Sequence, residues 1–207
     1  MNSFPVKELE GESPNWLELP TDITTNILQR LNSIDILTSA CQVSPLWWNI
    51  SKDPLMWRTL KNCEEVSDKG FIECVMKLPL LEELNITYNE QLSKDSIEVV
   101  ARSCPLLKSL EYGRSVDDEY VEDYNNEAYA IAETMPGLHN LKISGINFID
   151  NDGVRAILDG CPLLESFDLS YCFNLYLTRS LQIRCLEQIK NVKLPFICSS
   201  DDWDSDN

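Results

Sequence analysis

The sequence has little positive charge, a single histidine and no long apolar run. Its 207 residues include 17 Lys and Arg against 34 Asp and Glu, so the formal net charge is −17. Such a field repels a phosphate backbone, which excludes nucleic acid as the expected partner. No window approaches the roughly 20 apolar residues of a membrane-spanning helix, and the N-terminal residues lack the pattern of a secretory signal. We therefore expect a soluble protein of the cytoplasm or nucleus with no membrane partner.

Catalytic and metal-binding motifs are also missing. There is no G-x-G-x-x-G, no G-x-S-x-G and no P-loop. The eight cysteines contain no C-x-x-C pair, and His139 is the one histidine that could join them as a ligand. We expect the thiols to be free and to pack as small hydrophobic side chains. No catalytic residue, metal site or cofactor is predicted.

The negative charge is concentrated in short segments. Six acidic residues and no basic one lie between Asp117 and Glu127, and residues 199–207 add four aspartates. Runs of like charge are usually solvated, so we expect an exposed acidic loop at 115–126 and an acidic tail at 199–207. Residues 1–15 are expected to form a disordered N-terminal lead.

An internal repeat occupies residues 61–198. Four similar segments contain Pro79, Pro105, Pro136 and Pro162, at intervals of 26, 31 and 26 residues. The five additional residues of the middle interval coincide with the acidic run, which therefore looks like an insertion. A further segment, I-K-N-V-K-L from Ile189, keeps the apolar pattern without the proline.

Each repeat has a helical half and a strand half. Before the prolines, apolar residues recur at offsets of three and four, as on one face of a helix that the proline then ends. After them comes L-x-x-L-x-L, whose last positions alternate as in a strand with one buried face: Leu84 and Ile86, Leu110 and Tyr112, Leu141 and Ile143, Phe167 and Leu169. A strand and a helix every 26 residues are the signature of leucine-rich repeats, which stack into a solenoid with parallel strands inside and helices outside.

The outward residues of these strands are the candidate surface for a target, and a plain solvated surface is an equally open interpretation. On the four strands they are Glu83, Asn85, Ser109, Glu111, Asn140, Lys142, Ser166 and Asp168, with Thr87, Ser144 and Ser170 beyond them. Because Glu83, Glu111 and Asp168 are among them, we expect this face to favour a basic partner. Cys172 and Asn89 occupy positions where a buried side chain would bond backbone groups at a turn.

Residues 16–60 form a separate block of short helices. Asp22, Ile23, Ile27, Leu28 and Leu31 suit a helix that begins near Thr21, and Ser33 can cap a second one. Pro45 can start a third helix, and Asp53 with Pro54 forms an N-cap pair for a last helix containing Trp57 and Leu60. So small a unit leaves apolar surface uncovered, so it requires a partner.

The residues of this block resemble the F-box family. Leu19 and Pro20 match its Leu-Pro opening, Val43 and Trp47 its Val-x-x-x-Trp, and the segment from Asp53 to Trp57 its Asp-Pro-x-x-Trp. Ser44, Pro45 and Leu46 depart from the basic residues usual between the Val and the Trp. With repeats that carry Cys104 and Cys161 before the proline, the whole chain resembles plant F-box/LRR-repeat proteins.

The resemblance implies an all-α F-box bundle followed by an α/β repeat solenoid. It also implies docking to a Skp-type adaptor, which links to cullin and RING subunits, while the repeats hold an unknown protein for ubiquitination. The residues expected to face the adaptor are Trp16, Leu19, Pro20, Ile23, Ile27, Leu28, Leu31 and Trp47, whereas Leu37, Val43 and Trp57 are expected in the core. A repeat scaffold that acts outside a ubiquitin ligase is the alternative.

Overall fold

A computed structural model describes most of the chain between the tails. The described residues are 19–31, 33, 36, 39–61, 63, 66–89, 91–113, 125–145, 149–173 and 175–195. The predicted lead, Trp16, Leu37, the acidic loop up to residue 124 and the acidic tail lie outside them.

Helices and parallel strands alternate along the chain after an all-helical start. The α-helices are α1 (Thr21–Leu28), α2 (Pro45–Ser51), α3 (Asp68–Val75), α4 (Lys94–Ser103), α5 (Asn126–Thr134), α6 (Asn151–Gly160) and α7 (Arg179–Gln188). The strands are β1 (Thr59–Leu60), β2 (Glu83–Thr87), β3 (Ser109–Gly113), β4 (Asn140–Gly145), β5 (Ser166–Cys172) and β6 (Asn191–Lys193). They form one parallel sheet in the order β1 to β6, which confirms the predicted helical bundle followed by a repeat solenoid.

Local capping explains the helices of the N-terminal block. The Ser44 hydroxyl accepts the Trp47 N–H at 3.2 Å with Pro45 as the first residue of α2, as predicted. Asp53 likewise accepts the Leu55 N–H at 3.0 Å, but Pro54–Trp57 is only a 3₁₀ turn. The predicted last helix through Leu60 was wrong, because Leu60 belongs to β1 and pairs with β2.

The core lies between the sheet and the helices. From β2 to the start of β5, successive strands align at intervals of 26 or 31 residues, for example Leu84 with Leu110 and Leu110 with Leu141. The inward residues of these strands are buried, and so are the helix residues Ile97, Val100, Ile131, Val154 and Ile157. Each repeat thus buries its strand and its helical stripe against its neighbours, which a single repeat could not do.

Cysteines and one asparagine bond backbone groups between repeats. The thiols of Cys104 and Cys161 lie 3.4 and 3.6 Å from the carbonyl oxygens of Leu78 and Met135 in the preceding repeat. Burial raises the pKa of the Cys104 and Cys161 thiols to about 11. These groups are therefore protonated, structural thiols. None of the seven cysteines that the structure describes forms a disulfide.

Asn89 lies at the turn after β2, as the sequence predicts, and Cys172 is the last residue of β5. The fully buried Asn89 amide donates to the carbonyl oxygens of Cys63 and, at 2.9 Å, Val66, and its own oxygen accepts the Gln91 N–H at 2.9 Å. The Cys172 thiol lies 3.2 Å from the Ile143 carbonyl oxygen. Asn89 thus satisfies backbone groups in the turns after β1 and β2, and Cys172 satisfies a carbonyl of β4 beside the β-bulge.

Two expectations about exposure were wrong. Glu127, the last residue of the acidic run, is buried in the first turn of α5, where its carboxylate accepts the Tyr112 hydroxyl at 3.4 Å. Ser170 is buried rather than outward, because β5 gains one residue relative to β4 after Asp168. This β-bulge turns Tyr171 outward in its place.

Candidate docking surfaces

Helix α1 has one face inside the protein and one outside. Thr24 and Leu28 are fully buried and lie four residues apart, so they share the inner face. The Pro20 carbonyl begins the helix by accepting the Thr24 N–H at 3.0 Å and the Thr24 hydroxyl at 3.1 Å. Ile23 and Ile27, also four residues apart, are on the outer side, with 44% of Ile23 exposed.

The structure divides the residues predicted to contact an adaptor. Pro20 and Leu31 are exposed, and Leu19, Ile27 and Trp47 are half-buried. Leu28 has no exposed surface, so its assignment to the adaptor surface was wrong, since it fills the core beneath α1. Trp57 is in the core as predicted, and its indole N–H donates to the Ser51 carbonyl at 2.9 Å.

Sequence reasoning missed part of the exposed apolar surface. Val43, which we expected in the core, is 53% exposed at the turn before α2. Trp48 and Leu55 are 47% and 50% exposed, and the Lys52 ammonium lies 4.3 Å from the centre of the Trp48 ring. We call the five strongly exposed apolar residues of the block the F-box face: Ile23, Leu31, Val43, Trp48 and Leu55.

The F-box is joined directly to the repeats by β1. The carbonyl of Arg58 accepts the N–H groups of both Glu82 and Glu83, and the Arg58 guanidinium lies 2.9 Å from the Glu82 carboxylate. A cavity of about 420 Å³ separates the end of the F-box from α3, with Trp57 and Leu78 among its apolar walls. Because the sheet begins within the F-box, whatever binds the F-box is held in a defined orientation to the strands.

The eight outward strand residues lie on one face, here called the strand face. None of Glu83, Asn85, Ser109, Glu111, Asn140, Lys142, Ser166 and Asp168 is buried. The middle row of this face is bonded from strand to strand. Asn85 donates to Glu111 at 2.8 Å, Lys142 lies 3.4 Å from Glu111, and Lys193 donates to Asp168 at 2.8 Å.

These lysines change the expected electrostatics of the strand face. Burial alone would raise the pKa of the Asp168 carboxyl, but hydrogen bonds from Lys193 and Ser170 more than offset it, so this pKa lies below its ordinary value. The hydrogen bond to Asp168 raises the pKa of Lys193. Glu83 also has a lysine, Lys61, at 4.0 Å. The three carboxylates that suggested a basic partner are thus each matched by a lysine.

The excess negative charge belongs to other segments of the sequence. Of the 34 acidic and 17 basic residues, the described ranges contain 17 acidic and 15 basic ones. Their formal charge is therefore only −2 of the total of −17. Long-range attraction of a basic partner has to come from the acidic run and the tails rather than from the strand face.

No group of three His, Cys, Asp or Glu side chains in the described ranges is arranged to hold a metal ion. Within the same ranges, no helix is both long and apolar enough to span a bilayer.

Comparison with known proteins identifies the N-terminal block. The family model described as F-box-like matches residues 16–62. Among solved structures, the crystal structure of the Rad7 and Elc1 complex in yeast is similar, with a TM-score of 0.52 at 17% identity over 84% of this chain and 54% of that chain. At this identity the similarity shows the fold alone.

The curated relatives come from Arabidopsis thaliana. The chain is 34% identical to F-box protein SKIP19 over 94% of its own length and 82% of that protein, and 32% identical to F-box/LRR-repeat protein 22 over 94% and 81%. It is 33% identical to F-box/LRR-repeat protein 23, of which it spans 57%.

The alignments with F-box/LRR-repeat protein 23 and F-box protein SKIP19 run over 257 and 254 positions. Because 94% of 207 residues is about 195, about 60 of these positions have no residue of this chain. The F-box match, the strand-and-helix repeats and these relatives lead to the same conclusion. The chain belongs to the family of plant F-box/LRR-repeat proteins.

Proposed function

We propose that this protein is the substrate-recognition subunit of an SCF-type ubiquitin ligase. The F-box face docks a Skp-type adaptor, which connects to cullin and RING subunits, and the repeats hold a target protein. Other subunits perform the ubiquitin transfer, so this chain needs no catalytic residue. We place the complex in the cytoplasm or nucleus.

The observation that carries the proposal is the F-box face itself. Five large apolar side chains, each between 39% and 53% exposed, belong to the first part of the described chain, within residues 23–55. Five exposed apolar side chains within so short a stretch of a small domain favour a protein interaction site. The relatives' names and the F-box match support a Skp-type adaptor as the partner. The solved relative was crystallised with a second protein, Elc1, which fits a partner-bound role.

The direct test is copurification of the complete chain with a plant Skp-type adaptor. We expect a one-to-one complex. The variant Val43→Asp puts a charge where the adaptor would exclude water, and it should abolish the complex because an unpaired buried charge is costly. Val43 is more than half exposed in the free protein, so the fold should tolerate the change.

Leu163→Asp provides the matched control. Leu163 is 54% exposed but lies in the repeats, so this variant should copurify like the wild type. If the wild type ignores every adaptor tested, or if Val43→Asp binds as well as Leu163→Asp, the ligase assignment fails. The protein would then be a repeat scaffold acting outside a ligase.

A further inference from the structure

Two aromatic side chains at the end of β5 are turned outward by buried neighbours. After the bulge, Tyr171 and Phe173 are 50% and 51% exposed, and they flank the buried Cys172, whose thiol lies 3.2 Å from the Ile143 carbonyl oxygen. The two rings contact each other edge to face, with centroids 6.2 Å apart. Because Cys172 anchors the backbone, both rings are presented to solvent on the same side of the chain.

The next segment presents a third aromatic ring in the same way. Tyr176 is 68% exposed between Leu175 and Leu177, which are buried. The Asn151 side chain holds this segment, since its amide donates to the Tyr176 carbonyl at 2.9 Å and its oxygen accepts the Thr178 N–H at 2.9 Å. A backbone held at both ends loses little freedom on binding, which favours affinity.

A fourth aromatic residue lies at the end of β2, in an unfavourable conformation. Tyr88 has a φ of 62° and is 64% exposed, and its N–H donates to the Gly113 carbonyl at 2.9 Å. A left-handed conformation is costly for a bulky residue and persists only where its surroundings impose it. Here the fully buried Asn89, bonded to two carbonyls, imposes it.

Small residues separate Tyr88 from the three other aromatics. Thr87, Gly113, Ser144 and Tyr171 pair in that order across four strands, which spans about 14 Å at the usual strand spacing. A side chain at Gly113 would not fit, since its Cβ would lie 2.7 Å from the Ser144 carbonyl oxygen. We call this row of four paired residues the floor. Aromatic side chains lie beyond both of its ends, and it is wide enough for one extended or helical segment. We call Tyr88, Tyr171, Phe173 and Tyr176 the aromatic edge.

The sequence has its densest negative charge between Gly113 and the next described range. Gly113 belongs to the floor, Asn125 begins the next described range, and the residues between them in the sequence include five acidic residues and one basic one. This part of the sequence has a formal charge of −4, and negative charge attracts cations.

We propose that the aromatic edge holds the target protein and that the bound segment is rich in lysine and arginine. The inference rests on the proposed role of the repeats as the target-binding part. Tyrosine faces attract ammonium and guanidinium groups, and tyrosine is enriched where interfaces concentrate their binding energy. The neutral strand face next to the edge gives a cationic segment no comparable attraction.

The test uses the complete chain, with and without a Skp-type adaptor, and a fluorescent twelve-residue peptide of alternating Arg or Lys with Gly or Ser. The charge-reversed control is the same peptide with Glu in place of the basic residues. The variant Tyr171→Ser/Tyr176→Ser keeps the formal charge, so any loss reports the rings rather than the net field. Two exposed cation–π contacts correspond to about tenfold in Kd, which is the expected weakening.

Tyr129→Ser is the control, because Tyr129 is 39% exposed on α5 and is not one of the four residues of the aromatic edge. It should bind the basic peptide like the wild type. Should the double variant unfold, the single variant Tyr176→Ser, at the most exposed ring, replaces it with an expected loss of about threefold. The inference is wrong if the double variant and Tyr129→Ser bind the basic peptide with equal affinity. It is also wrong if the wild type prefers the acidic peptide, or if light scattering shows a dimer that the tyrosine substitutions dissociate.

Adaptor binding is read in the same preparations and separates the two proposals. If the wild type does not bind an adaptor but the tyrosine variants lose the basic peptide, the ligase role fails and the aromatic edge stands. If adaptor binding is intact and the rings do not affect peptide binding, the aromatic edge fails and the ligase role stands.

Discussion

Two positions on α1 should respond to alanine in opposite ways. Leu28 is fully buried, whereas 44% of Ile23 is exposed on the F-box face. Leu28→Ala removes core packing and leaves a cavity, so it should lower the free energy of unfolding by about 3 kcal/mol. Ile23→Ala removes only partial packing and should cost about 1 kcal/mol.

Adaptor affinity should show the reverse order. Burying an isoleucine completely is worth about 1.5–3 kcal/mol, so covering the exposed 44% of Ile23 is worth about 1 kcal/mol. Ile23→Ala should therefore weaken adaptor binding about fivefold. Leu28 has no surface to offer, so the folded fraction of Leu28→Ala should bind the adaptor with the wild-type Kd.

Urea unfolding followed by circular dichroism measures the first quantity, and calorimetric titration of the adaptor measures the second. An unchanged adaptor Kd for Ile23→Ala would refute the outer face of α1 as a docking surface. A Leu28→Ala protein within 1 kcal/mol of the wild type would refute the packing described beneath that helix.

Three further changes test the repeat array. Asn89→Ala should cost about 3 kcal/mol of stability in urea unfolding, because it leaves two carbonyls and one N–H unpaired, whereas exposed Asn140→Ala should cost little. Gly113→Ala should lower stability by about 1–3 kcal/mol through its clash with the next strand, whereas Gly137→Ala, with no atom within 4 Å of the new Cβ, should be neutral. Burial raises the pKa of the Cys172 thiol to about 12, above the ordinary 9.0, so the unfolded state releases this proton first and stability should fall as pH rises above about 9. The urea midpoint should fall less between pH 8 and pH 10 in Cys172→Ala than in the wild type. An equal fall in the two proteins would contradict this.

The repeat register and the apolar stripes could be predicted because they depend on spacing along the chain. Prolines 26 residues apart and inward residues such as Leu110 and Leu141 repeat in sequence as they stack in space. Asn89 could be predicted for the same reason, since its partners belong to a turn that recurs in each repeat. Helix α7 was not predicted, because it precedes none of the four prolines that mark the other repeats.

The candidate surfaces could be predicted only in outline. Periodicity assigned all the apolar residues of α1 to one role, but whether Leu28 or Ile23 is covered depends on which side the neighbouring helices occupy. Val43 is a similar case, since its apolar character is compatible with either the core or an interface. A sequence pattern states that a side chain prefers to be covered, and it does not state whether the same chain or a partner covers it.

The sequence by itself determined the helical block, the parallel repeats and the concentration of negative charge in a few segments, because each follows from composition or from a fixed spacing. Only the tertiary structure decided which residues face outward at the strand ends. One additional residue in β5 places Tyr171 on the outward face and Ser170 in the interior. Lysines from neighbouring strands neutralise Glu111 and Asp168. Both effects depend on register between strands that are distant in sequence, where a shift of one residue reverses the face that a side chain occupies.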